Sequence, residues 1–460
     1  MYTIDQISKI PLHIQLFNEI KNDIISNYKI GDKLPSIRKI ASIYNLSKNT
    51  VESAYSQLVA EGYIDSYPKS GYIVTDTNYS NFNTQNCIDE MKEEEKEDFL
   101  YDFVPARLEK NSFPIKLWKR LFSKAVDESL DFGGYTHSQG EFGLRVEITK
   151  YLRSSRGVKC NPNQVFICNG FADSMGLLAQ MLRNKYKSLA IEHPGYHMAL
   201  KVFDSYGYDI DKIALDENGI NLKTLENSKS HLVYITPSHQ YPTGVSIPIS
   251  NRLKLLKWAK QNDALIIEDD YDSELSYANR PIPSLQGLDK FDRVVYIGTF
   301  SKSLSPALRI SYMVLPNHLI EIYNTKYKYH DSSVSLMTQK TLEKFMKDGH
   351  WEKHLRKIRT LNKKKHNLMK KNLLEQLGDT MKIESQGGGL AILINPTIDF
   401  DFEKIKTLAI QKNIKIYFAK NNSGGDWDAI RMGFGGLKYE EIVPAIEIFS
   451  NIWHRSKVMF

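Results

Sequence analysis

Lys302 stands between two serines in the stretch YIGTFSKSLSPALR, at the end of an apolar run, and Arg309 follows seven positions later. An amine at the end of a core strand is partly withheld from water, which suits attack on a carbonyl and formation of a Schiff base. Burying an ammonium demands partners or a lowered pKa. A lysine on a solvated loop just past the strand fits the same letters. A second segment, LIIEDDYDSE, gathers Asp269, Asp270, Tyr271 and Asp272 at another strand end. Strand residues i and i+2 point the same way, so Asp269 and Tyr271 share a face. A carboxylate against a ring nitrogen and a phenol near a ring oxygen are what a pyridine electron sink such as pyridoxal phosphate needs. The carboxylates also suit a magnesium ion or an acidic strand cap, but no nucleotide-type phosphate motif accompanies them.

Other strand ends add weaker signals. VFICNGFADSMGLL passes from a strand through a glycine turn into a helix, whose first backbone amides form a natural phosphate seat. IEHPGYHMAL sets Tyr196 after a Pro-Gly turn, where its ring would stack on a flat cofactor or fill the core. TPSHQYPTGV is a further strand-end turn, with Pro242 and Gly244.

The elements that must position these groups read as alternating strands and helices from about Tyr101 onward. QVFIC, SLAIE, HLVYIT, ALIIED and RVVYIGT are apolar on both faces, and helical patterns such as ADSMGLLAQML and NRLKLLKWAKQ separate them. That pattern predicts an α/β fold with a mainly parallel sheet covered on both sides. The 460 residues suggest two or three domains, and 42% apolar residues suffice for a sizeable core. No run reaches the ~18 apolar residues of a membrane span, and MYTIDQISKIPLHIQ lacks a signal-peptide layout. Cys87, Cys160 and Cys168 have neither disulfide nor zinc spacing, which points to reduced thiols in the cytoplasm and to no metal.

The net charge of +7 is unevenly spread. From Lys33 to Thr50 the charged residues are Lys33, Arg38, Lys39 and Lys48, with no acid. CIDEMKEEEKED carries seven acids, and residues 77–100 as a whole read as a flexible acidic linker. From Lys353 to Lys371 nine cations occur without an acid, the pattern of a solvated face on a long helix.

Residues 1–76 form a module of their own. Leu12, Leu16, Ile20 and Ile24 make one helical stripe, with Phe17 beside it. GDKLPSIRKIASIYN predicts a turn and a helix capped by Ser36. LSKNTVESAYSQLVAEGY predicts a second helix capped by Ser47, with Val51, Ala54, Tyr55 and Leu58 inward and Lys48, Asn49 and Thr50 exposed on its first turn. In a helix-turn-helix that turn enters the major groove. IDSYPKSGYIV reads as a hairpin with Lys69 and Gly71 at its turn. Helix-turn-helix geometry also serves protein contacts.

GDKLPSIRKIA, LSKNTVESAYSQLVAEGYI and KSGYIV together resemble the winged helix-turn-helix of the GntR family. That resemblance implies DNA contacts at Arg38, Lys48, Asn49 and Thr50, with Lys69 and Gly71 in the wing. The family usually has arginine where Lys48 stands, and lysine forks less well onto guanine. From Tyr101 to the end, the order of phosphate turn, aromatic, Pro-Thr-Gly turn, Asp-x-Tyr and lysine with downstream arginine resembles the class I/II aminotransferases of fold type I. It implies an internal aldimine of pyridoxal 5'-phosphate at Lys302, the catalytic residue. Asp269 then pairs with the ring nitrogen, Tyr271 with the ring oxygen, and Tyr196 stacks on the ring. Gly170, Phe171, Ala172, Thr299, Ser301 and Arg309 take the phosphate, Arg431 clamps a ligand carboxylate, and Tyr135 reaches toward the phosphate of a second subunit. Tyr241 stands where aminotransferases carry an asparagine, which puts full transamination in doubt.

The combination resembles the MocR subgroup of GntR-family regulators: a DNA-binding head at 1–76, a linker at 77–100 and a cofactor-binding, aminotransferase-like domain at 101–460. It implies a regulator that binds double-stranded DNA as a head-to-tail homodimer and senses a small amino acid, an amine or pyridoxal phosphate itself. An active aminotransferase carrying a DNA-binding head is the alternative.

Overall fold

The computed structural model describes residues 2–6, 8, 10–68, 70–76, 98–128, 134–277, 282–329, 334–384, 387–420 and 426–458. The chain divides into one unit of Met1–Glu97 and another of Asp98–Phe460. Most of the expected linker, and Lys69 of the expected wing, lie outside the described residues.

In the first unit α1 (Leu12–Asn27), α2 (Ile37–Tyr44) and α3 (Lys48–Ala60) precede an antiparallel hairpin of β1 (Ile64–Tyr67) and β2 (Gly71–Val74). The stripe Leu16, Phe17, Ile20 and Ile24 of α1 packs on Val51, Ala54, Tyr55 and Leu58 of α3 in one core. Ser36 Oγ accepts from the Lys39 amide at 3.3 Å and Ser47 Oγ from the Thr50 amide at 3.1 Å, so both helices start on a capped turn. Tyr55 Oη donates to Pro35 O at 2.7 Å and ties α3 to the entry of α2.

The second unit begins with β3 (Tyr101–Asp102), α4 (Ile115–Asp127) and α5 (Phe142–Arg156). Its main sheet and covering helices then follow: β4 (Val165–Cys168), α6 (Phe171–Leu182), β5 (Ser188–His193), α7 (His197–Ser205), β6 (Asp209–Asp216), β7 (Gly219–Ile220), α8 (Leu222–Glu226) and β8 (Leu232–Ile235). After these come α9 (Ile249–Gln261), β9 (Leu265–Asp270), α10 (Leu285–Leu288), β10 (Val294–Thr299) and β11 (Ser311–Val314). The strand order is β4-β11-β10-β9-β8-β5-β6-β7. The run from β10 to β6 is parallel, while β11 lies antiparallel between β4 and β10, and β7 antiparallel on β6.

Alternation along these strands feeds two cores. Tyr234, Leu265 and Ile267 pack with Leu178 and Met181 of α6, whereas Val233 and Ile266 pack with Leu255 and Trp258 of α9. Every residue of β8 and β9 is buried, as a sheet covered on both faces requires. Beyond the sheet run α11 (Asn317–Lys326), α12 (Leu336–Lys347) and the long α13 (His350–Leu377). The basic stretch lies on α13 as expected, except that Lys365 is fully buried, its Nζ donating to Glu109 Oε2 at 2.6 Å. The last elements are β12 (Met381–Ile383), β13 (Ala391–Pro396), α14 (Phe402–Gln411), β14 (Ile414–Lys415), β15 (Tyr417–Lys420), β16 (Asp426–Gly433) and α15 (Ile442–Arg455). They build a four-stranded sheet, β12-β13-β16-β15, and β14 pairs with β3.

Candidate functional site

The carboxyl ends of β8, β9 and β10 open into a cleft of about 330 Å³, the usual place for a ligand in a parallel sheet. Phe171, Tyr196, Asp269, Tyr271, Thr299, Ser301, Lys302, Arg309 and Arg431 all line it. Gly170 and Ala172 sit at the start of α6 on its edge rather than in its wall, and Tyr135 is 94% exposed, away from it.

Lys302 lies in the turn after β10, not on the strand itself. Burial, then the Arg431 guanidinium, push its amine down to about 8, against the pull of Asp272 and Asp269. The turn is held from outside by His354 of α13, whose Nε2 meets Ser303 O at 2.8 Å. Burial lowers the His354 pKa, so the ring is neutral and Nε2 carries its proton toward that carbonyl.

Alternation along β9 gives its two aspartates different fates. Asp269 faces the cleft, and burial pushes it up to about 7, even though Tyr234 Oη donates to its Oδ2 at 2.6 Å. Asp270 faces the opposite way, where Arg156 Nε at 2.7 Å and Tyr296 Oη at 2.6 Å donate to its Oδ2. Burial opposes its charge, but those partners outweigh burial and hold it below the usual carboxylate range.

Tyr271 stacks on His239, with ring centroids 6.1 Å apart and planes 24° from parallel. His239 Nδ1 lies 2.7 Å from Asp272 Oδ2 and 3.4 Å from Tyr271 Oη. Burial works against a charged imidazole there, yet the Asp272 carboxylate lifts it above its ordinary value. Across the cleft, Tyr196 sets its edge against Phe171 at 5.0 Å and Tyr241 at 5.1 Å. Arg431 on β16 donates from Nη1 to Tyr241 Oη at 2.8 Å, with the guanidinium 4.5 Å from the ring centroid.

An anion seat occupies the remaining corner. Gly170 has φ +79°, and a Cβ there would collide with the guanidinium of Arg309. Glycine thus lets the arginine reach the N-terminus of α6, whose first N–H groups lack intrahelical partners. Thr299 Oγ1 donates to Ser301 Oγ at 3.0 Å, and the Ser301 amide donates back to Thr299 Oγ1 at 3.1 Å, which aligns both hydroxyls beside it.

The sequence motifs missed three of these partners: Tyr234 on Asp269, His239 with Asp272, and Tyr241 on Arg431. The tyrosine in HLVYIT was a usable signal, since a hydroxyl inside an apolar strand needs a polar partner. Among the described residues no group of three or more His, Cys, Asp or Glu is arranged to hold a metal ion. No described helix is long and apolar enough to cross a membrane.

On the first unit, Arg38, Lys48 and Asn49 are exposed on the opening turns of α2 and α3. Thr50 is half-buried, and its hydroxyl lies 2.8 Å from Ser47 Oγ, so the cap already engages it. Gly71 has φ +93° at the hairpin turn, and the Lys33 side chain lies against it, adding a cation that the wing motif did not include.

Residues 13–74 match the family model of bacterial regulatory proteins of the gntR family, and residues 104–435 match that of aminotransferase class I and II. The chain is 37% identical over 456 residues to the uncharacterized HTH-type transcriptional regulator YdeL of Bacillus subtilis, across 96% of this chain and 97% of that one. It is 32% identical over 410 residues to the probable rhizopine catabolism regulatory protein MocR of Rhizobium meliloti, across 85% and 83%. The chain belongs to the MocR subgroup of the GntR family. As a MocR-type regulator it joins a DNA-binding head to an aminotransferase-like domain of fold type I. Kynurenine aminotransferase of Pyrococcus horikoshii shares the fold of that domain, with a TM-score of 0.69 at 24% identity over 77% of this chain and 91% of that one.

Proposed function

We propose that this MocR-type chain is a pyridoxal 5'-phosphate-dependent regulator that senses a small amino acid or amine, or the cofactor itself, through amine exchange at Lys302. It acts as a head-to-tail homodimer on a double-stranded DNA operator. The observation that carries this reading is the Lys302 amine, pushed down to about 8 by burial, in one cleft with Asp269 and Arg431. The cofactor, when bound, supplies an electrophilic carbonyl carbon and a visible chromophore. The donor set fits it: an amine that burial makes easier to deprotonate than a free lysine, a carboxyl for the ring nitrogen, and the anion seat where Gly170 gives way to Arg309.

Each residue then has a task. Asp269 takes the ring nitrogen, with Tyr234 fixing its direction, and Tyr271 offers its phenol to the ring oxygen. Tyr196 covers one ring face. Thr299, Ser301, Arg309 and the amides of Gly170, Phe171 and Ala172 bind the phosphate, and Tyr135 completes that seat from the second subunit. Arg431 receives a ligand carboxylate. On the DNA side, Lys48 and Asn49 enter the major groove, Arg38 and Thr50 support them, and Lys69 and Gly71 meet the backbone from the wing. Ligand exchange changes DNA binding only if the two states of the dimer differ in ligand affinity.

Tyr241, in place of an amide donor, favours a sensor over an aminotransferase. The test is the visible absorbance of the full chain and of Lys302→Ala, with amino acids and with a 2-oxo acid. A band that is lost in the variant and shifts with amines without sustained turnover supports the sensor. Steady conversion to oxo acid makes the chain an enzyme first. Absence of a band in the wild type with added pyridoxal phosphate overturns both.

A further inference from the structure

The arginine that meets a ligand carboxylate in the reading above already has a partner within the chain. Arg431 Nη1 donates to Tyr241 Oη at 2.8 Å, and the ring lies 4.5 Å beneath the guanidinium. The tyrosine is itself firmly placed. Its amide donates to Thr236 Oγ1 at 3.0 Å, its carbonyl accepts from Gln240 Nε2, and its ring packs edge-on to Tyr196 at 5.1 Å. Gln240 is fully buried and bonded to Pro194 O at 3.0 Å and to the Thr243 hydroxyl at 2.6 Å, so the backbone under Tyr241 is braced on both sides. The other guanidinium of the cleft, Arg309, stands against Gly170 in the anion seat.

We infer that Tyr241 sets the affinity of the cleft for acid ligands, as an internal competitor that occupies Arg431 until a carboxylate displaces it. The inference rests on the reading of Arg431 as the carboxylate clamp and adds what sets the threshold of that clamp. A phenol oxygen is a neutral acceptor, whereas a carboxylate offers Arg431 a charge-assisted, two-pronged pair. Exchange therefore favours ligands that bear an acid group. A ligand with only a neutral acceptor swaps one modest bond for another, and a plain amine leaves the phenol in place. Tyr241 thus raises the threshold for every acid ligand and leaves the binding of plain amines unchanged.

Two measurements on the full chain test this. The first titrates the visible band of the cofactor-loaded protein with L-alanine and with ethylamine, which lacks the carboxylate. In Tyr241→Phe, L-alanine should bind about tenfold more tightly, the scale of one competing hydrogen bond to a charged group, while ethylamine changes less than twofold. The second needs no cofactor: with inorganic phosphate saturating the seat at Arg309, acetate is titrated into cofactor-free protein and read by thermal unfolding. Its half-maximal concentration should fall about tenfold in Tyr241→Phe, and the stabilisation should vanish in Arg431→Met. Tyr241→Leu, which removes both oxygen and ring, should shift acetate in the same direction and covers a poorly folded phenylalanine variant. Weaker or unchanged binding of L-alanine and acetate overturns the inference, as does equal tightening of L-alanine and ethylamine. A missing visible band with the acetate result intact overturns the cofactor reading alone.

Discussion

Asp269→Asn separates what the site does for ligand binding from what it costs the fold. Burial pushes the Asp269 carboxyl up from 3.8 to about 7. Below both values the carboxyl is neutral whether folded or unfolded, and burial carries no electrostatic cost. As pH rises from about 4 to about 7 the unfolded chain ionises while the folded one resists, so stability falls across that window and is flat above it. Holding the buried carboxylate ionised at pH 8 costs roughly 4 kcal/mol, and the gap between pH 5 and pH 8 amounts to roughly 2.5 kcal/mol. Asparagine does not ionise, and its Oδ1 still accepts from Tyr234, so the variant escapes the cost without losing that partner. Urea unfolding of cofactor-free protein at both pH values is the assay. The variant should be more stable at pH 8 by up to ~4 kcal/mol, with a smaller advantage at pH 5. In the presence of pyridoxal phosphate the order should reverse, because only the carboxylate pairs with a ring N–H⁺. A variant less stable than wild type at pH 8, or an advantage that ignores pH, would refute the reasoning.

Three further outcomes follow from the geometry. Gly170→Ala places a side chain into the Arg309 guanidinium at φ +79°, a conformation that costs a non-glycine residue about 1–3 kcal/mol; spectroscopic titration should show cofactor affinity at least tenfold weaker, with the circular dichroism of the first unit unchanged. On the other unit, Asn49→Ala should flatten discrimination between operator variants by ~1–3 kcal/mol per contacted base, and Lys48→Ala should lower the slope of log affinity against log salt by about 1 where that lysine meets a phosphate. Fluorescence anisotropy over a salt series reads both.

The elements that were legible in the sequence are those specified within a short window. Ser36 and Ser47 announce their helices because a cap acts on an amide three residues away. The apolar runs of β8, β9 and β10 announce a sheet buried on both faces, and the i, i+2 rule already separates Asp269 and Tyr271 from Asp270. The contacts that finish the site span longer intervals and leave no such trace. Tyr241 and Arg431 lie 190 residues apart, and Tyr234 and Asp269 lie 35 apart, on strands whose pairing no local period reveals. His239 and Asp272 looked like turn residues, and only the approach of the two strand-end loops makes them a pair. Lys365 shows the reverse error: nine like charges between Lys353 and Lys371 with no acid among them suggest solvent, yet one of them is fully buried against Glu109.

The back-to-back aspartates of β9 also constrain which changes this chain tolerates. Leu265, Ile266 and Ile267 are buried, and other apolar residues of similar volume can replace them one at a time. An inserted or deleted residue in the same strand is another matter, because a shift by one position turns every side chain to the opposite face. Asp270 would then swing toward the cleft, and Arg156, buried at 5% exposure, would lose its counter-charge. Apolar substitutions along β9 are therefore tolerated while a change in its length is not, and insertions are accommodated in the loop beyond Asp270.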